Sequence, residues 1–134
     1  MRFFFYGTLR DADVRRAILG PGVARVSISP GILAGWRCVF MRGRSYPVLR
    51  PDADGATEGV IAEGVDVVQS RRIDRFETNE YRARIAQVRG AAGQILDAKV
   101  YFAARPGFAT TTPWRFAEWQ RRYKAALLRG WSKI

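Results

Sequence analysis

Few residue types in this chain can carry acid-base or nucleophilic chemistry. The 134-residue sequence contains no histidine and a single cysteine, Cys38. These counts exclude Ser-His and Cys-His nucleophilic pairs, zinc sites with histidine ligands, an internal disulfide and any multi-thiolate metal site. Cys38 lies between Trp36 and Phe40 in an apolar stretch, which favours a buried, inert thiol. A carboxylate or a tyrosine must therefore do any acid-base work.

Glu77 is the carboxylate whose sequence position is unusual. Ile73, Phe76 and Glu77 fall at i, i+3 and i+4 of a predicted helix, which places Glu77 on the apolar face. Asp74 and Arg75 are predicted to point towards solvent. An ionised carboxylate in an apolar setting must find partners or take up a proton. Glu77 is therefore a candidate acid or base, and the alternative is that it ends the helix and pairs with an arginine.

The second candidate element is the turn that follows the strongly apolar strand 3–5. Gly7 permits a sharp bend and the close approach of a ligand. Because a helical turn is predicted to start here, the backbone N–H groups of Gly7, Thr8 and Leu9 can converge on one point and hold an anion. The alternative is a tight strand-to-helix turn that binds nothing.

Charge and composition limit the classes of partner. The net charge of +11 admits nucleic acid, but the arginines are scattered and form no tail, block or single helix face. We therefore do not expect nucleic-acid binding to be the main function. No run approaches the roughly 18 apolar residues of a membrane span, and the run 3–5 is too short for a signal peptide. We expect a cytoplasmic protein.

The chain is predicted to form one α+β domain over residues 1–134, because an apolar fraction of 48% suffices for a core without disulfides or metal. Its strands and helices suggest a small mixed, mainly antiparallel β-barrel with a few short helices and a C-terminal helix. In chain order we predict an opening strand, a helix capped by Asp11, two or three strands over 23–41 and a short strand at 46–49. A turn at 51–55 and a strand over 59–66 follow, and then a helix within 67–81 capped by Ser70. The chain ends with a hairpin over 81–103, whose turn is at 90–93, and a last helix opened by Thr112 and Pro113.

The last helix carries an aromatic stripe. Its apolar positions repeat at helical spacing, and they are Phe116, Trp119, Tyr123, Ala126 and Leu127. The simplest interpretation is a packing surface that closes over the sheet, and a dimer contact is the alternative.

The order and spacing of these stretches resemble the γ-glutamylcyclotransferase-like family, in its AIG2-like branch. The resemblance covers nearly the whole chain. It is carried by Phe4-Phe5-Tyr6-Gly7-Thr8-Leu9, Tyr46-Pro47-Val48-Leu49, Gly59, Ile73-Asp74-Arg75-Phe76-Glu77, Tyr81-Arg82, Ala98-Lys99-Val100-Tyr101 and Pro113-Trp114.

The resemblance implies a site and a reaction. It makes Glu77 the general acid/base of an enzyme that releases 5-oxoproline from a γ-glutamyl amine or peptide, by attack of the substrate's own α-amine. No metal or cofactor is required. The turn would bind the α-carboxylate through backbone N–H groups, and two further tyrosines would line the pocket. The substrate-binding residues are then Tyr6, Gly7, Thr8, Leu9, Tyr81 and Tyr101.

Two positions depart from the pattern of the family. Thr78 stands where many relatives have glycine, and Glu80 offers a second carboxylate. We prefer Glu77 because it aligns with Ile73, whereas Glu80 should point outward or with Arg82. The alternatives to an enzyme are a catalytically silent module that binds a small carboxylate and a basic nucleic-acid-binding domain. The amine half of the substrate is open, as is the choice between a monomer and a weak dimer.

Overall fold

The computed structural model describes residues 1–131, which form a closed, mixed β-barrel with short helices around it. The strands are β1 (Arg2–Phe5), β2 (Ser27–Met41), β3 (Pro47–Glu63), β4 (Tyr81–Gly90), β5 (Ile95–Ala103) and β6 (Ala109–Pro113). Five strands close in the order β3-β1-β5-β4-β2, because β2 pairs again with β3, and β6 extends from β2. Only the β1–β5 pair is parallel among these described strands. The predicted fold class is confirmed.

The helices lie between and after the strands. The α-helices are α1 (Ala12–Leu19), α2 (Val67–Glu77), α3 (Phe116–Arg122) and α4 (Lys124–Trp131). Short 3₁₀ turns are formed by Thr8–Arg10, Gly20–Arg25, Thr78–Glu80 and Pro106–Phe108. None of the helices within residues 1–131 is long and apolar enough to cross a membrane.

The opening strand separates two parts of the core. Phe3, Phe4 and Phe5 are all buried, as their apolar character predicted. Because successive side chains of a strand point to opposite faces, Phe3 and Phe5 pack with the helices, whereas Phe4 packs with residues of β2 to β5. Tyr6, which follows the strand, packs in the same part as Phe4, and Leu9 of the next turn packs in the other part.

The long β2–β3 hairpin differs from the expectation of several short strands. Each of the two segments is a single strand, and the predicted turn at 51–55 lies inside β3. Ala34 pairs with Ala56 and Trp36 pairs with Pro51, so that residues 52–55 bulge opposite Gly35, whose φ is +86°. The turn-forming residues are thus used in a bulge that bends the hairpin around the barrel.

Helix caps were predicted correctly for α1 and incorrectly for α2. The Asp11 carboxylate accepts hydrogen bonds from two N–H groups of the first turn of α1, at 2.9 and 3.0 Å. In α2 the cap is Asp66, not Ser70. Asp66 accepts from the N–H of Gln69 at 2.7 Å, and the Gln69 side chain accepts from the Asp66 N–H at 2.9 Å. This reciprocal pair starts the helix earlier and leaves Ser70 buried within it.

The predicted start of the last helix was also wrong. Pro113 ends strand β6, which pairs with β2 through Val39 and Met41. A Thr-Pro pair is typical of a helix start, but here Thr110 donates a hydrogen bond to the Phe40 carbonyl at 2.7 Å and the segment is extended. The helical segment that follows is divided at Tyr123, where φ is −127° and ψ is −18°. A short wall of two helices therefore replaces the single helix.

Candidate active site

One cavity of about 500 Å³ lies at the end of β1. It is enclosed by the turn after β1, the end of α2, the start of β3, two strand tyrosines and the helices α3 and α4. All of the candidate residues from the sequence line it: Tyr6, Gly7, Thr8, Leu9, Glu77, Tyr81 and Tyr101. Residues that are about seventy positions apart in the chain are thus brought to one site.

The turn after β1 presents backbone donors to this cavity. The first hydrogen bonds of the 3₁₀ turn run from the Arg10 N–H to the Gly7 carbonyl, 3.0 Å, and from the Asp11 N–H to the Thr8 carbonyl, 3.1 Å. The N–H groups of Thr8 and Leu9 precede these bonds and have no acceptor within the turn. The turn can therefore accept an anion.

The reason for glycine at position 7 differs from the sequence-based expectation. Gly7 has a φ of −113°, outside the left-handed region. A Cβ on Gly7 would lie 2.9 Å from Cγ of Pro47, the first residue of β3. Glycine is thus needed here because the Pro47 ring packs against the turn, which joins the turn to the hairpin.

Glu77 is the last residue of α2 and is half-buried in the cavity wall. Burial raises the pKa of its carboxyl group to about 8, and the neighbouring Asp74 and Glu80 carboxylates act in the same direction. The negative end of the α2 dipole also opposes ionisation. Within residues 1–131, no side chain forms a hydrogen bond or ion pair with the Glu77 carboxylate. It can therefore exchange a proton with a ligand near neutral pH.

The three candidate tyrosines are held by hydrogen bonds within the protein. The Tyr6 hydroxyl donates to the Tyr101 carbonyl at 2.6 Å, and the Tyr81 hydroxyl donates to the Pro47 carbonyl at 2.5 Å. The Tyr101 hydroxyl donates to Asp74. Asp74 is exposed, as predicted, but it also has this interior partner. The hydroxyl oxygens of the tyrosines remain able to accept hydrogen bonds.

The same tyrosines stay protonated at physiological pH. Burial raises the pKa of Tyr6 and of Tyr81 well above the ordinary value, and burial together with the bond to Asp74 raises the pKa of Tyr101. The negative charge of Glu77 adds to the pKa shift of all three. They act as fixed walls and neutral polar groups around the carboxylate.

Glu80 lies at the rim of the cavity, but it is already paired. Its carboxylate accepts hydrogen bonds from the Tyr46 hydroxyl and from Nε of Arg44, the latter at 3.1 Å. Burial and the contact with Glu80 raise the pKa of Tyr46 to about 12. Glu80 does not point outward or with Arg82 as expected. Tyr46 and Arg44, in the loop before β3, hold its carboxylate through these hydrogen bonds.

Thr78 connects the two carboxylates in an uncommon backbone conformation. Its φ is 63° and its ψ is −170°, a region that only glycine adopts at low cost. It is the one non-glycine residue with positive φ in residues 1–131. Glycine would adopt this conformation without steric cost, whereas this chain forms the turn with a β-branched residue.

The helical wall of the cavity was missed by the sequence analysis. Trp119, Tyr123, Ala126 and Leu127 belong to the stripe that was interpreted as a packing surface, and Trp131 extends it. The prediction was correct in part, since Trp119 is buried in the core. Periodicity identifies an apolar face, but it does not distinguish a face that meets the core from one that meets a cavity. Tyr46, the partner of Glu80, was also missed as a lining residue.

Comparison with known proteins identifies the family. The sequence profile of the family described as "Gamma-glutamyl cyclotransferase, AIG2-like" matches residues 3–121. The chain belongs to this family. AIG2-like protein C of Arabidopsis thaliana is 29% identical over 85 residues, which are 63% of this chain and 48% of that protein. The chain therefore matches about half the length of that AIG2-like relative.

Solved structures share the AIG2-like fold. The solution structure of an Arabidopsis thaliana protein is 26% identical, covers 99% of this chain and 89% of its own, and has a TM-score of 0.70. The crystal structure of an AIG2-like protein from Mus musculus has a TM-score of 0.66 at 23% identity, with 85% of this chain and 84% of that chain covered. At 23% identity, the comparison with the mouse protein shows only that the fold is shared.

Proposed function

We propose that this protein is a γ-glutamylcyclotransferase-type enzyme that releases 5-oxoproline from a γ-glutamyl amine or peptide, with Glu77 as the general acid/base. The main support is that an unpaired carboxyl group with a pKa of about 8 shares one cavity with the free N–H groups of Thr8 and Leu9. Membership of the family supports cyclotransferase chemistry in general. The substrate and the catalytic residue are our inference.

The reaction needs no nucleophile from the protein. The α-amine nitrogen of the substrate attacks its own γ-carbonyl carbon, and a new C–N bond closes the five-membered ring. The C–N bond to the amine half breaks, and the leaving nitrogen takes up a proton. The proton lost by the α-amine balances the proton gained by the leaving amine, so no water is consumed.

Glu77 is suited to carry that proton. As a carboxylate it accepts the proton from the attacking amine, and as a carboxylic acid it donates the proton to the leaving nitrogen. A pKa of about 8 leaves both forms populated near neutral pH. A carboxyl group with an ordinary pKa would be a weaker base, and it would be almost fully ionised when an acid is needed.

The turn after β1 supplies orientation. The N–H groups of Thr8 and Leu9 would bind the α-carboxylate, which fixes the α-amine relative to the γ-carbonyl. The buried rings of Tyr6 and Tyr101 and the half-buried ring of Tyr81 limit the positions that the glutamyl chain can take. These roles predict loss of activity when the turn is displaced, even if Glu77 is intact.

The direct test is release of 5-oxoproline from a panel of γ-glutamyl amines and dipeptides. Wild-type protein is expected to convert at least one of them, and Glu77→Gln is expected to lower kcat/KM by about 1,000-fold while its circular dichroism is unchanged. Glu63→Gln is the matched control, because this carboxylate pairs with Arg2 outside the cavity. Activity retained in Glu77→Gln would overturn the assignment of the base.

The same assay distinguishes a silent binding module. The protein would then be stabilised against heat by 5-oxoproline or glutamate, through the turn, without turnover of any γ-glutamyl compound. The observation that keeps this possibility open is the strained backbone of Thr78, with a φ of 63°, directly beside Glu77.

A further inference from the structure

The charged side chains of the cavity are all acidic within residues 1–131. Glu77 and Glu80 line it, and no described lysine or arginine does. Arg44 pairs with Glu80 at 3.1 Å but does not line the cavity. A second carboxylate on the substrate, such as that of an amino-acid amine half, would enter a largely apolar cavity in which no described cation offsets the cost of burying it.

The lining beside Glu77 is aromatic. Phe76, the preceding residue of α2, meets the Trp131 ring edge to face, with the centroids 5.4 Å apart and the planes at 84°. Tyr123 and Leu127 line the cavity from the same side of the helical wall. In the proposed reaction Glu77 protonates the leaving nitrogen, so this nitrogen lies beside Glu77. The amine half is bonded to the same nitrogen. The amine half must therefore lie against this wall.

The size of the cavity leaves room for such a group. A volume of about 500 Å³ lies in the range of roughly 300 to 1,000 Å³ typical of pockets for drug-sized ligands. A glutamyl group alone is much smaller than a ligand of that class. The remaining space is bounded by rings from α2 and α4.

We infer that the amine half of the substrate is a neutral arylalkyl group, so that the preferred substrates are γ-glutamyl arylalkylamines without a second carboxylate. This inference rests on the proposed function and names its substrate class. Aromatic rings of the ligand would pack edge to face or offset against Phe76 and Trp131. A cationic amine half would gain less binding free energy than an aromatic one, because Glu80 is already neutralised by Arg44 and bonded by Tyr46.

The test compares matched amides with full-length protein. The substrates are γ-glutamyl-phenethylamine, γ-glutamyl-methylamine, γ-glutamyl-phenylalanine and γ-glutamyl-1,4-diaminobutane. We expect kcat/KM for the phenethylamide to exceed that for each of the others by about 10-fold or more, since a filled apolar pocket discriminates on that scale. An equal or higher value for any of the other three overturns the inference while the proposed function stands. If none of the four is converted, the proposed function falls and the inference falls with it.

Variants of the wall test its role separately. Trp131→Ala is expected to lower the ratio of kcat/KM for the phenethylamide to that for the methylamide by about 5-fold or more. Trp36→Ala is the matched control. Trp36 is another half-buried tryptophan that packs on a phenylalanine, since its ring centroid lies 4.7 Å from that of Phe102. Trp36 lies outside the cavity, and its variant should keep the wild-type ratio.

Leu127→Ala provides a second variant of the wall. It should lower the same ratio, and thermal melts of all three variants show which of them fold. An unchanged ratio in both folded wall variants overturns the inference, as does an equal decrease in Trp36→Ala.

Discussion

Glu77 and Glu80 are separated by three positions, yet the structure treats them in opposite ways. Glu80 is bonded by Tyr46 and paired with Arg44. Glu77 has no bonded partner in residues 1–131, and its burial beside like charges raises its pKa to about 8. The difference arises from the loop before β3, which reaches one carboxylate and not the other. Identical side chains thus differ in role: Glu80 is a structural anchor, and Glu77 is the group that we propose carries the proton.

The largest expected effect is on turnover. Glu77→Gln should lower kcat/KM for a γ-glutamyl amide by about 1,000-fold, within the range of roughly 10² to 10⁴ that general acid-base catalysis contributes. Glu80→Gln should lower it by less than about 10-fold and should instead lower the melting temperature, because the ion pair with Arg44 is lost and one of the two acceptor oxygens is replaced by a donor. Steady-state kinetics and thermal melts of both variants measure this contrast. An equal loss of turnover in both would remove the functional distinction.

The stability of the fold should depend on the protonation of Glu77. Its folded pKa of about 8 lies above the unfolded value of about 4.3, so the folded state holds the proton more tightly. The stabilisation is complete below the unfolded pKa and is lost as the pH rises through the folded pKa. It amounts to about 1.4 kcal/mol for each unit by which the two pKa values differ.

Urea unfolding of wild type and Glu77→Gln between pH 5 and pH 9 measures the contribution of Glu77 protonation to the free energy of unfolding. The free energy of unfolding of wild type should fall relative to that of the variant as the pH rises. Parallel pH profiles would show that Glu77 titrates normally, and the contrast with Glu80 would then disappear.

The turn between the two carboxylates offers a smaller effect on stability. Thr78→Gly should stabilise the protein by about 1 kcal/mol, because glycine adopts the observed φ of 63° without steric cost. Thr78→Ala is the control, since it loses the same hydrogen bond from the Glu80 N–H, 3.3 Å, but keeps a Cβ. Thermal melts that show equal stability for the two variants would argue against backbone strain at this position.

The smallest effect concerns the charge beside Glu77. Asp74→Asn removes a carboxylate that raises the pKa of Glu77, so the pH profile of kcat should shift towards lower pH. Solvent screens this exposed charge, and the shift should be modest. Asp54→Asn, an exposed carboxylate in the bulge of β3, should leave the profile unchanged. A shift of equal size in both variants would indicate a general charge effect.

Much of the candidate site was predictable because its elements are local. The spacing of Ile73, Phe76 and Glu77 places them on one helix face, and the apolar run 3–5 followed by Gly7 predicts a buried strand and a turn. These features depend on residues within one or two turns of the chain. Errors occurred where a distant partner decided the conformation, as at Pro113, which pairs through β6 with Val39.

The sequence by itself determined the chemistry that is possible: with no histidine and one cysteine, any proton carrier has to be a carboxylate or a tyrosine. Local spacing also placed Glu77 on an apolar face. Only the tertiary structure decided that Glu77 is unpaired and Glu80 is not, and that the stripe on α3 and α4 lines a cavity. The reason is physical, since periodicity reports which face of an element is apolar, whereas partners across the barrel decide what that face meets.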